Sequence, residues 1–321
     1  MKKVKIAGNI LMVLAVIFVI RRITHISWNA VITPENIIRL ILYTILYAML
    51  IILSYIPWKS LVGVFTGAGT ELKRQHEPFC FVFTKANIMK YVPGNVFQYV
   101  GRNEIATVLK LDHVNVASAT VAEIILMVLA AGTLSIILIG AHTIQYLHSH
   151  LLQILLIAVA GLALVGGVLL ILYKKKKEKL LKYLNDYKTL FKSRRSILCL
   201  FFCFLFYICT FLFIGFLFIL VLRICVTNDL SPSAGGIIIG AFILSWLAGY
   251  ITPGAPGGIG IRELLMTAIV AGSGIADVDS ITTASAVYRV INILGDVLAF
   301  LIVLIVHVVM RNRRESIRRE E

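Results

Sequence analysis

Long apolar runs dominate this chain and restrict it to folds that a lipid bilayer can surround. Of its 321 residues, 59% are hydrophobic and 15% are charged, whereas soluble domains carry roughly a quarter charged residues. A helix needs about 20 mostly apolar residues to cross a hydrocarbon core ~30 Å thick. The composition therefore predicts an all-α polytopic integral membrane protein with about 6–8 membrane helices. The apolar runs lie at about 6–20, 37–56, 116–139, 151–173, 197–222, 234–252, 264–276 and 284–310.

The positions of lysine and arginine predict the orientation of these helices. Residues 174–195 contain eight lysines and two arginines, and basic loops stay in the cytoplasm. The same rule places both termini in the cytoplasm of a multi-pass protein of the cell membrane, and only Arg21 and Arg22 run against it. Orientation and the anionic inner leaflet account for the net charge of +15, so no nucleic-acid partner is expected.

Two interrupted segments repeat the same residue types 160 positions apart. Pro93-Gly94 and Pro253-Gly254 break the helical pattern, and an arginine follows nine residues after each proline. These arginines are Arg102 and Arg262, preceded by Gly101 and Gly260 and followed by Glu104 and Glu263. The match predicts an inverted repeat, because the second and fifth apolar runs would cross the membrane in opposite directions. The alternative is that so short a match is a coincidence.

The repeat predicts the organisation of the chain. We expect one membrane domain over residues 1–321, divided into half-repeats at 1–173 and 196–310, with a basic cytoplasmic loop at 174–195 and a basic cytoplasmic tail at 311–321. Transporters with inverted repeats place their substrate sites at broken helices near the middle of the bilayer.

Proline-glycine breaks are tolerated at membrane depth only inside protein or beside a watery cavity, because unpaired backbone groups cost several kcal/mol in lipid. Residues 79–110 are therefore predicted to form a re-entrant hairpin that enters from the cytoplasm. The second segment, residues 234–276, forms either a re-entrant hairpin from outside or a full crossing followed by a short tilted helix.

The charges beside these breaks predict an anion site. A helix that begins after a glycine-rich break points free N–H groups toward its start, and arginine adds a forked donor that suits phosphate. The alternative is that Arg102–Glu104 and Arg262–Glu263 neutralise each other.

Further charged residues lie within the apolar runs. Glu123 is either a counter-charge or a proton-sensitive group. Arg289 and Asp296 share one face of the last helix, either in a substrate pathway or as a buried structural pair. The full set of predicted substrate-binding residues is Lys90, Pro93, Gly94, Arg102, Glu104, Glu123, Pro253, Gly254, Pro256, Gly257, Gly258, Gly260, Arg262, Glu263, Arg289 and Asp296.

The interrupted segments resemble a known family. Lys90-Tyr91-Val92-Pro93-Gly94, Gly101-Arg102 and the stretch from Thr252-Pro253-Gly254 to Arg262-Glu263 are similar to the transmembrane, flippase-like domain of the lysylphosphatidylglycerol synthase family. Full-length members join a lipid-moving membrane domain to a soluble domain that transfers an aminoacyl group from tRNA to phosphatidylglycerol. This chain ends shortly after its last apolar run, so we expect no soluble transferase domain here.

The resemblance implies a lipid flippase for an anionic phospholipid or for a polyprenyl-phosphate-linked glycolipid, since stand-alone relatives are associated with cell-surface polysaccharide production. Membrane lipids are the expected partners, together with a glycan- or lipid-modifying enzyme. One alternative is a membrane subunit of a phosphatidylglycerol lysyltransferase, with Glu104 or Glu263 as general base. The other is a scaffold for polysaccharide assembly. No motif for a catalytic site, a cofactor or a metal is present.

Overall fold

A computed structural model describes residues 31–91, 97–140, 193–226, 230–251, 258 and 260–320, and these ranges contain helices and turns but no strand. The predicted apolar runs at 6–20 and 151–173 and most of the basic loop lie outside the described residues. Within them, five helices are long and apolar enough to span a membrane: Pro34–Phe65, His113–Gly140, Arg194–Cys225, Ala234–Ile251 and Val278–Arg313. These helices confirm the prediction of an all-α membrane protein.

The first described candidate span consists of two consecutive helices, α1 (Pro34–Leu53) and α2 (Tyr55–Phe65). Thr33 caps α1, since its side chain accepts a hydrogen bond from the Asn36 backbone N–H at 3.3 Å. The kink at Ser54 follows from Pro57, which has no N–H to donate to the carbonyl four residues earlier. The sequence prediction ended this helix at residue 56, whereas α2 continues beyond the proline.

Three long helices build the rest of the bundle: α6 (His113–Gly140), α7 (Arg194–Cys225) and α10 (Val278–Glu320). Trp58 of α2 is fully buried, donates a hydrogen bond to Thr120 of α6 at 3.0 Å, and packs edge-on against Phe79. The outward faces are apolar, with exposed residues such as Ile38, Ile136 and Phe201. Such a continuous apolar surface is suited to lipid rather than water.

Hairpin 1 comprises residues 76–108 and contains α3 (His76–Ile88), a 3₁₀ turn (Met89–Tyr91), α4 (Phe97–Arg102) and α5 (Glu104–Val108). Its arms are antiparallel, because Lys85 pairs with Glu104 while Gly101 lies against Met89 and Ala86. A Cβ on Gly101 would lie 2.8 Å from Met89 Sδ. The glycine therefore lets the two arms approach closely.

Hairpin 2 comprises residues 234–271 and contains α8 (Ala234–Ile251) and α9 (Ile261–Met266), which continues as a π-helix (Thr267–Ala271). Its arms approach each other at two glycines: a Cβ on Gly258 would lie 2.7 Å from the Gly249 Cα. Gly258 also has φ +71°, a backbone conformation that favours glycine. The helix predicted at 264–276 lies earlier in the chain, at 261–271, and a turn follows it.

The two hairpins open toward opposite ends of the bundle. At one end, the Tyr55 hydroxyl lies 2.7 Å from His76 Nδ1 at the start of hairpin 1, and Glu77 contacts His307 of α10. At the other end, where the segments flanking hairpin 2 meet, the Ser280 hydroxyl donates to the Cys225 carbonyl at 3.0 Å. Helix α10 runs between these ends and packs against α1, α3 and α7.

Candidate functional site

The two hairpins touch through a pair of tyrosines. The hydroxyls of Tyr99 in hairpin 1 and Tyr250 in hairpin 2 lie 2.6 Å apart, and Trp246 stacks on Tyr250 at 5.0 Å between ring centroids. An arginine lies at each end of this aromatic row: Arg102 Cζ is 5.3 Å from the Tyr99 ring, and Arg262 Cζ is 6.0 Å from the Trp246 ring. The aromatic row therefore connects the arginines of the two hairpins.

Arg102 is neutralised inside the protein. It is 6% exposed and forms an ion pair with Glu123 of α6, which is itself 3% exposed. The Tyr207 hydroxyl of α7 donates to the other oxygen of Glu123 at 2.6 Å, and the Phe83 ring lies 4.1 Å from Arg102 Cζ. These contacts satisfy the charge of Arg102 and fix the second arm of hairpin 1 to α6.

Arg262 has a different environment. Its Nε, like that of Arg102, is buried without a hydrogen-bond partner, but no described residue forms an ion pair with Arg262. The guanidinium lies in a slot that two glycines create, since a Cβ would approach Nε to 3.0 Å at Gly249 and 2.8 Å at Gly258. Hairpin 2 thus holds a permanent positive charge in a shaped slot that the described residues do not neutralise.

Glu263, the acidic residue next to Arg262, already has other hydrogen-bond partners. Glu263 Oε1 accepts hydrogen bonds from Arg289 Nε at 2.8 Å and Nη2 at 2.5 Å, while Oε2 accepts from the Gly260 backbone N–H at 2.7 Å. Glu263 caps α9, because it is the third residue of that helix and reaches back to the residue before it. Arg289 of α10 therefore takes the carboxylate that might have neutralised Arg262.

A cavity of about 30 Å³ lies beside this group. It has room for about two water molecules. Both apolar and polar side chains line it, and Asn292 Oδ1 is buried there without a partner among the described residues. The lining residues are Phe218, Phe242, Ser245, Arg262, Glu263, Met266, Ser285, Tyr288, Arg289 and Asn292.

No family model, curated protein or solved structure matches this chain. The resemblance described above therefore stays a prediction, and the chemistry of the site rests on its geometry.

Asp296 forms the other polar centre of the site. The carboxylate is 1% exposed, and it accepts from Asn87 Nδ2 at 2.7 Å and pairs with Lys90 Nζ at 2.6 Å. The Tyr91 hydroxyl donates to the same oxygen as Lys90. Tyr47 of α1 packs against the residue before Asp296, since a Cβ on Gly295 would lie 2.5 Å from Tyr47 Cδ1.

The structure corrects the ion pairs suggested within each broken segment. Arg102 pairs with Glu123 rather than Glu104, and Glu104 instead forms a half-exposed pair with Lys85 at 2.9 Å. Glu263 pairs with Arg289 rather than with its neighbour Arg262. Adjacent or nearly adjacent residues on a helix point in different directions, so partners from other helices are better placed.

The suggested Arg289–Asp296 pair is also wrong. Seven residues separate the two along α10, which corresponds to a rise of about 10 Å. Each finds a partner on a different hairpin, Arg289 on hairpin 2 and Asp296 on hairpin 1. The last helix therefore anchors both hairpins.

Six of the predicted site residues lie outside the described residues, namely Pro93, Gly94, Pro253, Gly254, Pro256 and Gly257. Four others that sequence reasoning did not assign to the site are part of it: Asn87, Tyr207, Trp246 and Tyr250. Trp246 and Tyr250 carried a usable signal, because they lie four residues apart on α8 just before the break. Tyr91 and Tyr99 were not among the predicted site residues either, yet the Tyr91 hydroxyl donates to Asp296 and the Tyr99 hydroxyl meets Tyr250.

Proposed function

We propose that this protein translocates an anionic phospholipid or a polyprenyl-phosphate-linked glycolipid across the cell membrane, and that Arg262 binds the phosphate. The observation that carries the proposal is the Arg262 guanidinium, which lies in the glycine slot of hairpin 2, borders a small cavity and, unlike Arg102, forms no ion pair with any described residue. The sequence resemblance to a flippase-like domain points to the same substrate class.

The energetics favour an anionic ligand at Arg262. Removing a charge from water costs several kcal/mol, and a paired opposite charge offsets that cost. Glu123 supplies the opposite charge for Arg102, whereas the described residues supply none for Arg262. A phosphate that accepts two parallel N–H bonds suits the planar guanidinium.

The arrangement of the hairpins supports a path for the headgroup. In this proposal both hairpins are re-entrant and form the inverted pair that the sequence predicts, entering from opposite sides and meeting at Tyr99 and Tyr250. The second arm of hairpin 2, residues 261–271, would extend only about 16 Å, about half of the hydrocarbon core. The headgroup would pass between the hairpins while the tails stay in lipid.

A leaflet-exchange assay tests the proposal. Purified protein is reconstituted into liposomes that contain a trace of fluorescent phosphatidylglycerol or of a labelled polyprenyl-phosphate lipid, and exchange is followed by quenching of the outer leaflet. We expect Arg262→Gln to slow exchange about tenfold or more, because one charge-assisted bidentate contact stabilises by roughly 1.5–3 kcal/mol. We expect Arg262→Lys to restore part of the rate, since the charge returns without the fork.

Arg39→Gln is the matched control. Arg39 forms an exposed pair with Glu35 one turn away on α1, at 2.5 Å, and lies in a different element from the hairpins. It should exchange lipid at the rate of the unmodified protein. A folded Arg262→Gln variant with an unchanged rate, or the lack of exchange with every anionic lipid tested, would contradict the proposal.

A further inference from the structure

The cavity beside Arg262 contains an unpaired hydrogen-bond acceptor as well as an unpaired donor. Asn292 of α10 lines the cavity, its Oδ1 is buried, and no described residue donates a hydrogen bond to that oxygen. Arg262 lines the same cavity with its own unpaired Nε–H, so the two atoms do not bond to each other. A buried amide oxygen without a partner costs free energy. A group that contacts both side chains would therefore stabilise the site.

The hydroxyl groups around the cavity also offer acceptors. Ser245, Ser285 and Tyr288 each donate their hydroxyl proton to a backbone carbonyl, at 2.7, 2.8 and 3.2 Å respectively. An oxygen whose proton is engaged in this way can only accept a further hydrogen bond. Acceptors thus predominate among the uncharged polar side chains that the structure describes in this cavity.

Asn292 and Arg262 are held in place relative to each other. Asn292 lies three residues after Arg289, so both side chains project from the same face of α10. Arg289 forms two hydrogen bonds with Glu263 of hairpin 2. Because Glu263 follows Arg262 directly in the chain, this ion pair fixes the arm that carries Arg262 beside Asn292.

The charge of the cavity distinguishes between two kinds of ligand for these oxygens. The described charged residues that line it are Arg262, Arg289 and Glu263, so its net charge is positive. Hard cations are usually bound by carboxylates, and Glu263 is already engaged by Arg289. A hydroxyl group, in contrast, donates a hydrogen bond without adding positive charge. The oxygens are therefore better suited to hydroxyl groups than to a cation.

The size of the cavity limits which hydroxyl groups can enter it. Its volume of about 30 Å³ is enough for one or two groups of the size of water. A hydroxyl group fits, whereas a whole sugar ring does not, so only hydroxyls close to the phosphate can reach Asn292. Water can itself bond to both Arg262 and Asn292, and a headgroup that displaces it has to supply the same bonds.

We propose that Asn292 accepts a hydrogen bond from a hydroxyl group of the lipid headgroup while Arg262 holds the phosphate. This inference rests on the function proposed above and narrows its substrate class to phosphodiester lipids with a hydroxyl within a few bonds of phosphorus. A glycerol headgroup and the first sugar of a glycolipid both supply that hydroxyl. A phosphodiester with a plain alkyl headgroup does not, and it would leave Asn292 Oδ1 buried without a partner.

The first experiment compares two lipids of equal charge in the leaflet-exchange assay. Phosphatidylglycerol and phosphatidylmethanol, labelled on the same acyl chain, differ in the headgroup hydroxyls. We expect the unmodified protein to exchange phosphatidylglycerol about tenfold faster, because a site built around a hydroxyl rejects an analogue that lacks it. Asn292→Leu should bring the ratio close to one, mainly by slowing phosphatidylglycerol, whereas Arg262→Gln should slow both lipids alike.

Two further variants control for damage to the fold. Asn36→Leu, on α1 and outside both hairpins, should keep the preference of the unmodified protein. Asn292→Thr should keep part of it, because a helical threonine donates to the carbonyl four residues earlier and leaves its oxygen free to accept. A folded Asn292→Leu variant that still prefers phosphatidylglycerol would overturn the assignment of Asn292.

A second lipid pair identifies the source of the hydroxyl. Polyprenyl glucosyl phosphate and polyprenyl methyl phosphate again have equal charge, and only the first carries hydroxyls. A preference that depends on Asn292 in this pair alone indicates a glycolipid substrate, and one in the phosphatidyl pair alone indicates a glycerol headgroup. The absence of any preference in both pairs overturns the inference and leaves translocation standing.

Binding measured without transport separates this inference from the proposed function. A ligand that binds only the folded protein raises its unfolding temperature, so short-chain versions of the same lipids can be compared by thermal unfolding in detergent. We expect the hydroxyl-bearing lipid of a pair to stabilise the unmodified protein more, and Asn292→Leu to lose that difference. This result without any lipid exchange would support the role of Asn292 and contradict translocation. Equal stabilisation of the unmodified protein by both lipids of each pair would contradict the role of Asn292.

Discussion

Hairpin 1 and hairpin 2 begin from the same residue pattern and reach opposite electrostatic results. Each carries an arginine nine residues after a proline-glycine break, and each arm that bears the arginine is tied to the long helix that follows it. In hairpin 1 the following helix presents Glu123, which takes Arg102. In hairpin 2 it presents Arg289, which takes Glu263 and leaves Arg262 without a described acidic partner. The sign of one residue on the next helix decides whether the arginine is structural or available for a ligand.

The largest expected effect tests this contrast directly. Glu123→Gln leaves the Arg102 guanidinium buried without its counter-charge, so we expect a loss of about 3–5 kcal/mol in the free energy of unfolding. Arg262→Gln removes a charge that has no described partner, so we expect no loss of stability. Thermal unfolding in detergent, followed by tryptophan fluorescence, measures both.

Glu35→Gln serves as the control for that comparison, because Glu35 belongs to an exposed pair that contributes little to stability. Equal losses of thermal stability in Glu123→Gln and Arg262→Gln would contradict the claim that Arg102 is a structural ion-pair partner and Arg262 is not.

The close approaches of the hairpin arms give the second contrast. Gly258→Ala would place a Cβ 2.7 Å from backbone at Gly249 and would force an alanine to φ +71°, so we expect a loss of about 2–3 kcal/mol. In Gly101→Ala the nearest atom is 2.8 Å away, but it is the Sδ of the flexible Met89 side chain, and a loss of about 1 kcal/mol is expected. Gly132→Ala, whose Cβ would be 4.0 Å from Leu247 Cδ2, is the control. A ranking in which Gly101→Ala is the more damaging would contradict this account.

The sequence was informative where local chemistry decides the structure. Apolar length predicted the long apolar helices, and the described helices of the two hairpins end before the proline-glycine pairs and begin again after them, because both effects act within a few residues. The repeat offset located Arg102 and Arg262. The sequence could not predict which charged side chains pair with each other. Asn87 and Asp296, for example, are 209 residues apart in the chain and meet only because α3 packs on α10. Similar motifs therefore predicted similar roles, and packing then made the two arginines different.

The contact between the hairpins gives a smaller effect. Tyr99→Phe and Tyr250→Phe each remove one side of a single hydrogen bond and leave the ring packing intact. We expect each to cost about 1 kcal/mol, and the double variant to cost little more than either, because the same bond is lost. A double-variant cycle by thermal unfolding measures the coupling. Additive losses would show that the two hydroxyls stabilise the hairpins independently of each other.

The smallest effect compares the aspartates that begin the helices after each hairpin. Asp277 caps α10, and its carboxyl pKa is lowered below the ordinary value of 3.8 by the adjacent Ser280 side chain and by the Ser280 backbone N–H, which donates to the carboxylate at 2.9 Å. A carboxyl with a lowered pKa in the folded state stabilises the protein above its unfolded pKa, and that contribution disappears as the pH falls through the lowered value. Asp277→Asn keeps the cap and removes the charge, so we expect a loss of a few tenths of a kcal/mol at neutral pH, reduced by solvent screening.

The acid branch of the stability profile makes that small loss measurable. As the pH falls below about 4 the unmodified protein should lose the advantage of the charged cap, so its thermal stability should converge with that of Asp277→Asn. Asp112, the equivalent cap before α6, accepts a hydrogen bond from the Asn115 backbone N–H, also at 2.9 Å, and Asp112→Asn provides the comparison from the helix that follows hairpin 1. If Asp277→Asn differs from the unmodified protein more at low pH than at neutral pH, the charge at this cap acts through something other than the helix terminus.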